Sequence, residues 1–161
     1  MDRNFSTEDR KKKVDDTIAA LGLGKSADTL IGVTGRIQGI SGGEKKRLAF
    51  ASEVLTNPSL FFCDEPTSGL DSSMAKSVVE VMKGLANQGR TVVCTIHQPS
   101  SQIYAMFDRI LLLSEGRTVY MGNTKDANNF FTNIGHPCPI NYNPADHYVQ
   151  VIRQIGELYS V

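Results

Sequence analysis

Apolar positions along the chain fall into two alternating periods. Within residues 7–21, Val14, Ile18 and Leu21 recur at helical spacing on one face, and Gly22 follows as a stop. Gly24, Gly32, Gly35 and Gly39 then punctuate a stretch with no period. A second helix is predicted to open at Ser41, to carry Leu48, Ala51 and Leu55 on one face, and to end before Asn57-Pro58. Leu60-Phe61-Phe62-Cys63 is a short unbroken apolar run, the pattern of a strand buried on both faces. The spacing of Val78, Met82 and Leu85 predicts a third helix over residues 72–86. Asn87-Gln88-Gly89 turns the chain into a second β-rich run, residues 91–96. Strand, helix, strand in that order predicts a right-handed crossover with the strands parallel.

Beyond Pro99 the pattern predicts a short helix at 103–107, then a hairpin of residues 109–114 and 117–121 around Glu115-Gly116. A helix at 125–134 and, after Pro137, Pro139 and Pro144, a last helix at 146–152 complete the reading. The expected class is mixed α/β.

Composition narrows what such a chain can do. With 161 residues, 40% apolar and 21% charged, it can bury a core as one domain. Lys+Arg and Asp+Glu both number 17, so an electrostatically driven nucleic-acid partner is not expected. The longest apolar runs, 60–63 and 110–113, fall far short of the roughly 20 residues of a membrane-spanning helix. The polar start Met1-Asp2-Arg3-Asn4 leads into no apolar stretch, so no signal peptide is expected. Cys63 and Cys94 sit inside β-like runs and read as buried thiols of a reducing compartment. Cys138 lies in the Pro-rich loop without a second ligand at zinc spacing. Asn4-Phe5-Ser6 matches a glycosylation acceptor that a cytosolic chain does not use.

The chemistry concentrates at two places. In an open parallel sheet, ligands bind beyond the carboxyl ends of the strands. The first strand delivers Asp64-Glu65 there and the second delivers His97, so the crossover brings both polar ends to one rim. Paired acids at a strand exit suit a hydrated divalent cation and a base that orients water. A turn or capping carboxylate is the ordinary fate of a lone Asp, but the continuation Pro66-Thr67-Ser68-Gly69-Leu70-Asp71 is far more specific. The second place is Ser41-Gly42-Gly43-Glu44, a capping box whose two glycines capping does not need. They make sense where a ligand approaches the backbone, and a helix N-terminus attracts phosphate. Lys45, Lys46 and Arg47 follow, read either as attraction for an anion or partner or as a solvated face.

Together these segments resemble the ATP-binding cassette of ABC transporters. Ile40-Ser41-Gly42-Gly43-Glu44 is similar to the signature motif, with Glu where many cassettes have Gln. The run 60–65 resembles the Walker B strand, Ser68-Gly69-Leu70-Asp71 the D-loop, and His97 the switch histidine. The stretch from Ser41 to Glu53, Ile96-His97-Gln98-Pro99-Ser100-Ser101, and Asn143-Pro144-Ala145-Asp146 resemble the G subfamily, and within it the white-type half-transporters. His147 stands where those relatives usually carry an aromatic residue.

The resemblance implies a partial P-loop NTPase-type cassette with a helical signature region (residues 1–56), a core of parallel strands and hairpin (57–122), and C-terminal helices (123–161) leading toward a transmembrane domain. It implies ATP and Mg²⁺ as ligands. Asp64 would hold the metal through water, Glu65 would polarise the attacking water, His97 would contact the γ-phosphate, and Asp71 would communicate across a dimer. Ser41, Gly42, Gly43 and Glu44 would bind ATP held by an opposite cassette. The implied partners are a second half-transporter, identical or not, and a transmembrane domain at the cytoplasmic face of a membrane.

The phosphate loop G-x-x-x-x-G-K-[ST] is not found: Gly22-Leu23-Gly24-Lys25-Ser26 has Ala19 at the first glycine position and follows a helix rather than a strand. The 161 residues therefore read as the back half of a cassette, inactive alone. A catalytically inert or dominant-negative partner subunit is the alternative. A chromosome-maintenance or DNA-repair ATPase shares the signature, but Pro66-Thr67-Ser68-Gly69, His97-Gln98-Pro99 and the neutral charge favour the transporter.

Overall fold

The helical spacing of the first segment becomes α1 (Thr7–Ala20), opened by Ser6 and closed by Leu21, with Gly22 in the left-handed region at φ +62°. In this computed structural model, residues 6–33, 37–56 and 58–158 are described. The polar start with its Asn4 acceptor, Gly35 and Asn57 lie outside them. The chain divides into two compact units, Met1–His97 and Gln98–Val161.

The first unit holds α1, α2 (Gly42–Thr56), β1 (Leu60–Asp64), α3 (Ser72–Asn87) and β2 (Thr91–Thr95). β1 and β2 are parallel neighbours in the register Leu60↔Thr91 to Asp64↔Thr95, as the crossover predicts. Leu21, Leu23, Ala51, Val54, Phe61, Cys63, Val78, Met82 and Leu85 form one aliphatic-rich core, with Ile18, Leu48 and Cys94 packed against it. Val78, Met82 and Leu85 point inward as their spacing requires.

Burial of β1 on both faces is not what the structure has. Phe61 and Cys63 are buried, whereas Leu60 is 49% and Phe62 73% exposed. The cause is the period of two: the core covers one face, and successive side chains point to opposite faces. Cys94, expected buried, is only partly so. The inner face of α2 is also shifted by one residue, burying Arg47, Ala51 and Val54 instead of Leu48, Ala51 and Leu55. Before α2, Val33 and Ile37 form an isolated antiparallel bridge, and a Cβ at Gly32 would meet the Ile37 carbonyl at 2.6 Å.

The second unit holds α4 (Ser101–Tyr104), β3 (Arg109–Ser114), β4 (Arg117–Asn123), α5 (Ala127–Asn133) and α6 (Pro144–Leu158). α4 starts earlier than its periodicity suggests because the Ser100 hydroxyl accepts from the Ile103 N–H at 3.3 Å. The hairpin turns at Glu115 and Gly116, both at positive φ, as the sequence predicts. α6 begins two residues before the predicted start and runs six past its end. Pro144 suits a first helical position, and Asn143 Oδ1 accepts from the Ala145 N–H at 3.1 Å. Its core is aromatic: Phe131 stacks on Tyr148 at 4.2 Å, with Val151 and Ile152 beside them. Among the described residues no helix is long and apolar enough to cross a membrane.

Candidate functional site

The last rung of the parallel pair joins Asp64 to Thr95. The Thr95 hydroxyl donates to Asp64 Oδ1 at 2.6 Å and accepts from the Glu65 N–H at 2.9 Å. One small side chain thus fixes the carboxylate that ends β1 and the backbone of the residue after it. Glu65 adopts φ +43°, uncommon for a side chain of its size and costing about 1–3 kcal/mol of backbone strain. Asp64, Glu65 and His97 are all exposed, His97 lying two residues beyond β2. Sequence reasoning missed Thr95; pairing the two strand ends residue by residue would have found it.

At the other place, Ser41 and Glu44 form the predicted reciprocal box. The Ser41 N–H donates to Glu44 Oε2 at 2.7 Å, and the Glu44 N–H to the Ser41 hydroxyl at 3.3 Å. A third arm comes from the Ser26 hydroxyl, which donates to Glu44 Oε1. Ser26 belongs to the Gly-Lys-Ser turn that only looks like a phosphate loop, and that turn follows α1. Hydrogen bonds from Ser26, then from Ser41, draw the Glu44 carboxyl from 4.5 down to about 2. Among the described residues a Cβ at Gly42 would meet nothing within 4 Å, and one at Gly43 would sit 3.4 Å from Leu70 and 3.6 Å from Arg47. Packing inside the chain therefore does not demand glycine at Gly42.

The two places are tied together. Lys46 Nζ donates to the Ser68 carbonyl at 2.7 Å, linking α2 to the turn that follows Glu65. That turn passes through Gly69 at φ +74° and ends at Asp71, which caps α3 by accepting from the Ser73 and Met74 N–H groups, each at 3.0 Å. Arg47 is buried, and among the described residues its Nε has no hydrogen-bond partner. The basic run is thus neither a uniform solvated face nor a patch: one cation straps a turn and another enters the interior.

The donor set can be tested against a metal. Among the described residues no three His, Cys, Asp or Glu gather into a metal cage. Magnesium is usually held by one or two carboxylates completed by substrate phosphates and water. Asp64, with Oδ2 outside the Thr95 hydrogen bond, fits that mode.

Comparison with known proteins agrees along the chain. Residues 1–68 match the ABC transporter family model, and residues 97–160 the ABC-2 type transporter model. Protein white of Ceratitis capitata is 57% identical over 152 residues, covering 94% of this chain and 22% of its own length. Protein white of Drosophila melanogaster is 55% identical with the same coverage. This chain belongs to the ABC transporters. Within them it is cassette sequence of the G subfamily, white type; ABC transporter G family member 13 of Arabidopsis thaliana is 52% identical over 86% of the chain. A bacterial ABC transporter cassette solved as a dimer shares the fold, with TM-score 0.55 and 22% identity over 77% of the chain and 51% of its own. The fold is accordingly a partial P-loop NTPase-type cassette. The ABC chain described here spans about a fifth of the length of the curated relatives it matches.

Proposed function

We propose that this chain supplies the signature turn, the acidic strand end and the switch histidine of a cassette that couples ATP hydrolysis to transport across a membrane. The observation that supports this best is the shared rung: β1 and β2 run parallel in register, and Thr95 holds both Asp64 and the Glu65 backbone. In this reading Asp64 would hold Mg²⁺, which would neutralise charge on the phosphates when bound. Glu65 accepts a proton from the attacking water, and His97 donates toward the γ-phosphate. Ser41, Gly42 and Gly43 offer N–H groups to ATP held by the opposite cassette, with Glu44 rigidifying that turn and Asp71 signalling across the dimer. Residues 1–56 act as the signature region, 57–122 as the catalytic core, and 123–161 lead toward a transmembrane domain. The partner is a second half-transporter, and the cassette works at the cytoplasmic face of the membrane. No nucleic acid takes part.

The test is Glu65→Gln in a complete transporter containing this segment. Loss of a general base typically lowers turnover by about 10²–10⁴-fold, here with ATP binding retained. Unchanged turnover would overturn the assignment. The purified 161-residue chain is expected to hydrolyse ATP at the background rate; steady hydrolysis abolished by Glu65→Gln would contradict that.

A further inference from the structure

Cys63 and Cys94 are register partners across β1 and β2. Partners in adjacent strands share a face, and here it is the face turned to the core: Cys63 belongs to the buried cluster and Cys94 packs against it. Both are free thiols, Cys63 buried and Cys94 partly exposed. The rung that joins Asp64, Thr95 and Glu65 lies one residue further along and uses neither sulfur.

This placement discriminates between ways of joining two thiols. Neighbouring strands lie about 4.8 Å apart, and paired side chains leave the sheet side by side at about that spacing. A disulfide needs its Cβ atoms about 3.5–4.5 Å apart, so direct oxidation would have to draw the strands together. A bridge with one atom between the sulfurs spans the wider gap with the strands in place. Structural zinc takes four protein ligands, and among the described residues no third His, Cys, Asp or Glu completes such a group.

We propose that Cys63 and Cys94 form a dithiol site for a monosubstituted trivalent arsenical, R–As=O, which bridges β1 and β2 one rung below Asp64. Cys94, the more accessible thiol, adds first and forms one As–S bond; Cys63 closes the second. Two S–H bonds break, two As–S bonds form, and the oxygen leaves as water carrying both protons. Arsenic stays trivalent and the sulfurs are not oxidised. The product is neutral, which suits the apolar face on which it forms. This site goes beyond the ATP-hydrolysis reading and does not depend on it.

The test uses phenylarsine oxide on the folded 161-residue chain, followed by intact mass and by peptide mapping after quenching in denaturant with an alkylating agent. Wild type and Cys138→Ser should each take up one equivalent that an excess of monothiol fails to remove and ethanedithiol removes. The mapped peptides should show Cys63 and Cys94 blocked and Cys138 alkylated. Cys94→Ala and Cys63→Ala should release the arsenical to monothiol roughly 10²-fold faster or more, because the second attachment is lost. Far-UV circular dichroism identifies variants that fail to fold, and the wild-type map decides the matter without them. Blocking that includes Cys138, retention unchanged in a folded single variant, or release from wild type by monothiol would each overturn the proposal.

Discussion

Two helices in the first unit begin with the same hydrogen-bond pattern and differ in what lies between the capping residues. At α1, Ser6 accepts from the Asp9 N–H at 3.1 Å and Asp9 accepts from the Ser6 N–H at 3.3 Å, with Thr7 and Glu8 between. At α2, Ser41 and Glu44 make the same exchange around Gly42 and Gly43. Capping is satisfied in both, so it does not explain glycines that can cost up to about 1 kcal/mol each against alanine. Among the described residues nothing crowds Gly42, and a Cβ at Gly43 would meet only the side chains of Leu70 at 3.4 Å and Arg47 at 3.6 Å. The α2 start also has an arm from another element, Ser26, and among the described residues the α1 box is closed by Ser6 and Asp9 alone. A helix start that gives up propensity and gains an added brace supports the proposal that its backbone is presented to a ligand.

The largest expected break comes from Gly43→Asp in one half of a complete transporter. A carboxylate at that turn should repel the phosphate approaching from the opposite cassette, lowering hydrolysis by roughly 10²-fold or more while binding at that half's own phosphate loop persists. Separate measurements of ATP binding and hydrolysis check this. Collapse of that half's own binding with hydrolysis intact would sink the role in trans. Smaller, and more telling about the pair, are Ser6→Ala and Ser41→Ala. Each should cost about 1 kcal/mol in denaturant melts of the 161-residue chain, since each removes one cap. Only Ser41→Ala should also slow the complete transporter; equal slowing by both would erase the distinction drawn here.

The smallest effect is expected in acid. The Glu44 carboxyl is lowered from 4.5 to about 2 by Ser26 and Ser41. Its contribution to stability is therefore complete above about pH 4.5 and is lost as pH falls from there through about 2. Glu44→Gln should remove that part of the acid slope and lower stability across the neutral region, where the ionised carboxylate contributes fully, so that the two proteins converge as pH falls toward 2. Identical acid limbs for the two proteins would show that the brace adds nothing.

The elements were largely readable because their periods were clean: α1, α3, the hairpin and the parallel pair all follow from spacing and turn residues. The failures have a common physical source. Four apolar residues in a row cannot report how many faces are covered, so Phe62 reads as buried and is 73% exposed. A run of three cations suggests solvent, yet Arg47 stands four and seven residues before Ala51 and Val54 and is buried with them. At the site, Asp64 and Glu65 were visible as a strand exit, and Ser41 to Glu44 as a box. Thr95, Ser26 and the Lys46 strap were not visible, because each acts on a partner 18 to 31 residues away.

The stacking of Phe131 on Tyr148 has a consequence for synthesis. The core described in the first unit reaches its last residue in sequence at Cys94, so that core can close while the ribosome is still translating the second. The second cannot: Tyr148, Val151 and Ile152 come near its end, and Asn143 reaches back to the Pro99 carbonyl at 2.8 Å. Until α6 leaves the exit tunnel, Phe131 lacks Tyr148 and the cluster lacks Val151 and Ile152, leaving Phe130 and the hairpin's Tyr120 only each other and Phe131, and that interval is when a chaperone would find them. Nascent chains stalled before residue 144 should therefore be cut by protease throughout the second unit while the first resists.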